Sequence, residues 1–193
     1  AELLLNDQLE GELRFGAAEA YGLEFLLRKN EGRLSGWLAY TLSHAERRIR
    51  EINNGKAYLS PYDRPHDISL VLNYELSERL SLSANWVYNT GSPVTFPTGR
   101  AVIGNAILPV YSDRNTYRMP DYHRLDLSVL LKGRDKPARR FSGEWNLSVY
   151  NAYARKNAWV INFVRDENDP DVTYAEMTYL FSIIPSITYN FKF

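Results

Sequence analysis

The sequence predicts an all-β fold, an antiparallel transmembrane β-barrel segment of about seven to eight strands, and three observations carry the prediction. Apolar and polar residues alternate with period two along successive short stretches. The connections between those stretches are short and long in strict alternation. The last seven residues read Ile-Thr-Tyr-Asn-Phe-Lys-Phe, so Ile187, Tyr189, Phe191 and Phe193 fall on one strand face and Thr188, Asn190 and Lys192 on the other. Chain ends are normally solvated and frayed. A strand that finishes on outward aromatics instead suits a surface where hydrocarbon meets water.

Taken in order, Leu9 to Phe15 alternates over only a few residues and reads as half a strand at most. Tyr21, Leu23, Phe25 and Leu27 then alternate against Gly22, Glu24 and Arg28, and Asn30-Glu31-Gly32 supplies a tight turn. Leu34, Leu38, Tyr40 and Leu42 run back and complete a hairpin. His44 to Pro65 is charged and carries Asn54-Gly55, Pro61 and Pro65, so it predicts a long loop. A second hairpin pairs Ile68, Leu70, Leu72, Tyr74 and Leu76 with Leu80, Leu82, Ala84, Trp86 and Tyr88 across a turn at Ser77-Glu78-Arg79. Four prolines and three glycines between Gly91 and Pro120 exclude a long regular element and predict a second long loop. Leu125 to Leu131 and Phe141 to Val149 form the third hairpin. Trp159 to Val164 and Val172 to Leu180 read as strand extensions around a polar tip, and Pro185 predicts a bulge before the closing strand.

Composition by itself does not separate a barrel from a water-soluble sheet. Hydrophobic residues make up 45% and charged residues 24%, and mean hydropathy is -0.40. A barrel strand needs only every second residue to be apolar, so an unremarkable average is expected of either. The 13% aromatic content is weighted toward Tyr, a side chain suited to interfaces where one end of the ring is wet. Zero net charge argues against a nucleic-acid partner, and the absence of Cys removes disulfides and thiolate metal sites. No apolar window is long enough for a helical span, and no leader pattern precedes the first stretch, so the chain reads as entered partway through a strand.

Short connections at Asn30, Ser77 and Gly133 lie at one end of the predicted sheet, and long ones at Ala45 to Pro65, Gly91 to Pro120 and Ala154 to Tyr174 at the other. Outer-membrane barrels segregate short periplasmic turns from long outer loops in this way. Ser69, Asn73, Ser81, Ser83, Asn85, Asp126, Glu144 and Asn146 make the second face too hydrophilic for a dry core. A water-soluble antiparallel sheet would instead need a partner layer over its leucine face. An open edge in lipid leaves backbone groups unsatisfied at several kcal/mol each. The strands therefore either close as a small eight-stranded barrel or belong to a larger one, and loops of this length favour the larger.

Several stretches resemble one family. Ala20 to Leu27, Gly36 to Ser43, Ile52-Asn53-Asn54-Gly55-Lys56, Tyr62-Asp63-Arg64-Pro65-His66-Asp67 and Leu80 to Tyr88 are similar to the C-terminal barrel of TonB-dependent outer-membrane receptors of the Bacteroidetes type. So are Tyr117-Arg118-Met119-Pro120-Asp121-Tyr122-His123-Arg124-Leu125-Asp126, Val149 to Asn157 and Ile184 to Phe193. The resemblance implies a barrel of about 22 strands around a plug, with residues 1–193 as its C-terminal part and the plug and first strands elsewhere. It implies import of a nutrient too large for porins, energised through an inner-membrane coupling protein that binds an N-terminal segment not found here. It implies outer-membrane lipid, the rest of the barrel and the barrel-assembly machinery as partners, and admits a surface lipoprotein. The C-terminus would lie on the periplasmic side, with Tyr189, Phe191 and Phe193 as the assembly signal.

Candidate site residues are few. Arg64, His66, Arg118, His123 and Arg124 cluster where long loops re-enter strands and are candidates for contact with substrate or plug. The competing expectation is a network of charge-assisted hydrogen bonds that fixes the loop bases. No catalytic residue, metal ligand or cofactor is expected: His66 and Asp67 fall on opposite strand faces, and no two histidines share ligand spacing. The alternative function is a self-contained eight-stranded outer-membrane barrel with a structural or lipid-modifying role.

Overall fold

The computed structural model describes residues 13–104, 106–134, 142–166, 169 and 172–192. Among them are fourteen strands, one 3-10 turn at Asn53–Gly55 and no α-helix. In chain order, β1 (Gly16–Lys29) and β2 (Leu34–Ile49) form the first hairpin, and β3 (Tyr58–Leu59) lies in the loop after it. The second hairpin is β4 (His66–Glu75) and β5 (Leu80–Asn89). The next long connection contains β6 (Pro93–Val94), β7 (Pro97–Ile103), β8 (Ala106–Tyr111) and β9 (Tyr117–Arg118). The third hairpin is β10 (Tyr122–Lys132) and β11 (Ser142–Tyr150), followed by β12 (Val160–Arg165), β13 (Thr173–Thr178) and the closing β14 (Ile184–Lys192).

Seven long strands make one antiparallel sheet in the order β1-β2-β4-β5-β10-β11-β14, with β3 added to the end of β2. They are the seven stretches that alternate in the sequence, and the turns have the predicted chemistry. Gly32 closes the first at φ +86, a conformation that costs a residue with a Cβ. Ser77 Oγ accepts from the backbone N–H of Arg79 and Leu80 in the second. The sheet is open, since β1 and β14 end its path and do not pair with each other among the described residues.

The chain divides into two compact units. One consists of Gly22–Leu42, Arg64–Gly91 and Pro120–Phe193 and holds most of the sheet. The other gathers Ser43–Asp63 and Ser92–Met119 with the N-terminal part up to Tyr21. Within it, β6 pairs with β9, and β7 with β8.

Three expectations are corrected. Leu13 to Phe15 are not in a strand, and the first strand starts at Gly16; Leu9 to Glu12 lie outside the described residues. The proline-rich second loop still contains a hairpin, β7 with β8, whose register shifts between Pro97 and Gly99 as it accommodates the imino ring. Pro185 causes no register shift: it sits opposite Val149 in an unbroken ladder. Among the described residues β14 is an edge strand, the place in a sheet where proline is tolerated.

The registers generate two chemically distinct faces. Leu72, Ala84, Leu127, Val149 and Pro185 lie side by side across five strands, and Tyr74, Leu82, Val129, Leu147 and Ile187 form the next such row. One residue along, Asn73, Ser83, Ser128, Ser148 and Ser186 form a rung on the opposite face. The polar rungs are bonded across strands, Ser83 to Asn73 at 2.7 Å, Asn89 to Asp67 at 2.6 Å and Asn190 to Glu144 at 3.2 Å.

No second layer covers the leucine face among the described residues. Tyr58 is the only buried hydrophobic side chain there, whereas Leu23, Leu27, Leu127, Leu147, Ile187 and Phe191 are 43 to 71% exposed. Burying such a side chain contributes about 1.5–3 kcal/mol. The side chains of this face collect only part of that gain from the described residues.

Candidate functional site

The leucine face is banded by aromatic residues. At its long-connection end the ring pairs are Phe25 and Tyr40 (6.3 Å between centroids), Tyr40 and His66 (6.1 Å), Trp86 and Tyr88 (6.3 Å), and His123 and Tyr153 (5.4 Å). At the short-turn end they are Trp145 and Tyr189 (4.6 Å) and Tyr189 and Phe191 (6.2 Å). Aliphatic rows fill the space between. Strands β4, β5 and β10 contribute to the first band and β11 and β14 to the second, and they are 10, 10, 11, 9 and 9 residues long; β1 and β2, which also contribute to the first, are longer at 14 and 16. A tilted strand crossing a bilayer needs about 9–11 residues.

The terminal aromatics are built into this face by one glycine. Gly143 lies opposite Phe191, two residue pairs from Trp145 and Tyr189, and the Tyr189 ring covers it so closely that a Cβ there would meet the Tyr189 hydroxyl. Tyr189 and Phe191 are 49 and 61% exposed. Phe193 lies outside the described residues.

The five predicted contact residues do not converge. His66 and His123 lie on the leucine face, because each is an even number of positions from its strand's leucines. His66 Nδ1 is 2.9 Å from the Tyr40 hydroxyl, and His123 Nδ1 is 2.7 Å from that of Tyr153. Arg124 lies on the polar face, where its guanidinium donates to Asp126 and to the hydroxyls of Tyr122 and Tyr150 and stacks 4.2 Å over the Tyr150 ring. Arg64 is exposed in the segment just before β4. Arg118 belongs to the loop unit, where it donates to the Asp63 carboxylate and, at 3.0 Å, to the Asp63 carbonyl.

Several residues passed over in the sequence hold the loops. The Asp63 side chain is fully buried. It accepts from the Ala45 N–H at 2.6 Å, pairs with Arg118 and lies 3.5 Å from His44 Nδ1. Asn53 exchanges two hydrogen bonds with the Arg114 backbone, at 3.1 and 2.8 Å, and Asn115 donates to the Leu59 carbonyl at 2.7 Å. The first and second long loops are thereby stitched together. In the sheet unit, Asn151 exchanges two bonds with the Arg155 backbone and donates its N–H to Asp126. Asp121 accepts from Tyr88 and from the Gly91 N–H, and Asn157 bonds the His123 backbone twice. Asn53, Asn115 and Asn151 all have positive φ, and asparagine at loop positions is the signal that marks such residues.

Chemically, this arrangement fixes loop bases and presents one apolar and one hydrophilic surface. Among the described residues, no three His, Asp or Glu side chains are grouped as a metal ion requires. His66 and Asp67 point to opposite faces, so they form no acid–base pair. No protein-family model, curated protein or solved structure matches the chain.

Proposed function

We propose that the chain is part of the barrel of a TonB-dependent outer-membrane receptor, which imports a nutrient too large for porins by energy coupled from the inner membrane. The observation that carries the membrane part is the leucine face, uncovered among the described residues, about 10 residues tall and edged by aromatics at both ends. Lipid is the cover that matches its height and its edges. The serine and asparagine rungs then line an aqueous interior, and the open edges at β1 and β14 pair with strands that complete the barrel. The receptor part rests on the resemblance of Tyr62 to Asp67, Tyr117 to Asp126 and the closing stretch. On this reading the long loops face outward, the C-terminus is periplasmic, and Tyr189 and Phe191 belong to the strand read by the assembly machinery. Arg124 faces the interior, and the two histidines face the membrane. The protein is a transporter component and not an enzyme.

The test is to express the complete reading frame that encodes this chain and follow it through membrane fractionation. The expected result is recovery in the outer membrane, resistance to carbonate extraction and a gel mobility that changes on boiling. An upstream plug-encoding segment supports the receptor. A reading frame that opens with a leader just before Ala1 and gives a small closed monomer in detergent supports the eight-stranded alternative. A protein that refolds and stays monomeric without detergent overturns both.

A further inference from the structure

We propose that the two histidine–tyrosine pairs at the loop end of the leucine face form a headgroup site for an anionic phospholipid, one whose headgroup carries net negative charge. The site rests on the membrane reading of that face. A histidine at such a position needs a reason, because a polar ring facing hydrocarbon is unfavourable unless it finds a partner. Among the described residues each imidazole has one hydrogen-bond partner, Tyr40 at His66 Nδ1 and Tyr153 at His123 Nδ1. Neither Nε2 meets another group among the described residues. A tyrosine hydroxyl that donates to Nδ1 leaves the proton on Nε2 as an outward donor, and an approaching anion selects that tautomer.

The surroundings fit a lipid better than a soluble anion. Trp86, Tyr88, His123 and Tyr153 line an open, almost wholly apolar cleft of about 480 Å3. Trp86 is paired with Leu125 and Leu70, so an acyl chain leaving the cleft continues along the aliphatic rows. Arg155 adjoins the pair: its guanidinium donates to the Asp121 carbonyl at 2.9 Å, while its Nε is buried without a hydrogen-bond partner. The positive charge of Arg155 acts at His123, and a fixed cation there favours an anionic headgroup over a zwitterionic one. His66 and His123 are two strand spacings apart and offset by two residues along the strands, about 12 Å in all, a span suited to a headgroup bearing more than one anionic or hydroxyl group.

The experiment uses the complete protein purified in mild detergent and lipid counting by native mass spectrometry, with phosphatidylglycerol, phosphatidylcholine and inorganic phosphate as probes. The paired variant is His66→Gln with His123→Gln, and Tyr40→Phe with Tyr153→Phe is the milder companion. The expected result is retention of phosphatidylglycerol over phosphatidylcholine, reduced roughly tenfold by the histidine pair, as loss of one or two charge-assisted hydrogen bonds requires. The tyrosine pair should reduce it less, and inorganic phosphate should not displace the lipid. Equal retention of both lipids, displacement by free phosphate, or unchanged retention in a histidine variant that keeps its heat-modifiable mobility each overturns the proposal. If the histidine variant loses that mobility, the tyrosine pair decides: unchanged preference in it overturns the proposal, and reduced preference supports it. Failure of the wild-type protein to enter membranes at all would instead sink the membrane reading beneath it.

Discussion

Placing an arginine at Leu127 or at Ser128 separates the two faces of the sheet with a single step along one strand. Leu127 lies between Ala84 and Val149 in an aliphatic row, four residues from His123 at the loop-end aromatic band and four from Leu131, which pairs with Trp145 at the turn-end band. The eight-residue interval spans about 26 Å along the strand, so Leu127 is at the middle of the apolar height. Ser128 lies between Ser83 and Ser148 on the polar rung. A lipid-facing arginine at the bilayer midplane costs about 2–4 kcal/mol. One that faces water inside a barrel keeps its hydration and needs only room for its stem. Leu127→Arg is therefore expected to lower the unfolding free energy of the complete protein in lipid vesicles by about 2–4 kcal/mol, and Ser128→Arg by less than half of that. The measurement is a denaturant titration followed by tryptophan fluorescence, with mobility on unheated gels as a check of folding. Equal losses, or a larger loss at Ser128, would refute the assignment of faces and with it the membrane reading.

Three further outcomes follow from the packing. Asp63→Ala removes the buried carboxylate that accepts from the Ala45 N–H and pairs with Arg118, a change that costs about 1–3 kcal/mol for the lost acceptor. Hydrogen exchange should accelerate in Ser43–Asp63 and Ser92–Met119 while β10 and β11 stay protected, and uniform acceleration would contradict the local role. Gly143→Ala forces the Tyr189 ring away from its place, with an expected loss of about 1–3 kcal/mol that Tyr189→Ala in the same chain partly relieves; no relief would mean that the contact is not the cause. Asn151→Ala removes two hydrogen bonds to Arg155 and puts a poorly suited residue at φ +53. Its loss of about 1–3 kcal/mol should exceed that of Asn151→Gly, which keeps the backbone conformation, and the reverse order in a thermal melt would refute the account.

If the proposed receptor reading holds, the loop network has a bearing on ligand binding. Asn53 with Arg114, Asn115 with Leu59 and Arg118 with Asp63 tie the first two long loops together through backbone-directed bonds. Such bonds order both segments before any ligand arrives, which lowers the entropic cost of binding. The Tyr62 to His66 and Tyr117 to Arg124 stretches, for which the sequence offered either contact with substrate or plug or a network fixing the loop bases, supply such a network with Asp63, Arg118 and Asp121. Arg124 adds to it on the polar face through Asp126 and the hydroxyls of Tyr122 and Tyr150.

The sequence by itself determined the seven long strands, their two faces and the segregation of short turns from long loops. Side-chain parity is local: Leu125, Leu127, Val129 and Leu131 share a face in any strand. Turn chemistry is equally local, as Gly32 and Ser77 illustrate. Tertiary structure alone decided which strands are neighbours at which register, and therefore that five serine and asparagine side chains form one rung and that Tyr189 covers Gly143. It also decided the partners of Asp63, 18 residues from Ala45 and 55 from Arg118. Such partners are fixed by how loops fold back in space, and no period in the chain encodes them. The registers place His66 and His123 with the leucines, whereas the sequence grouped them with Arg64, Arg118 and Arg124 as candidates for contact with substrate or plug. Only the tertiary contacts supplied the physical reason they can stay there, a tyrosine hydroxyl for each imidazole and an aromatic band around both.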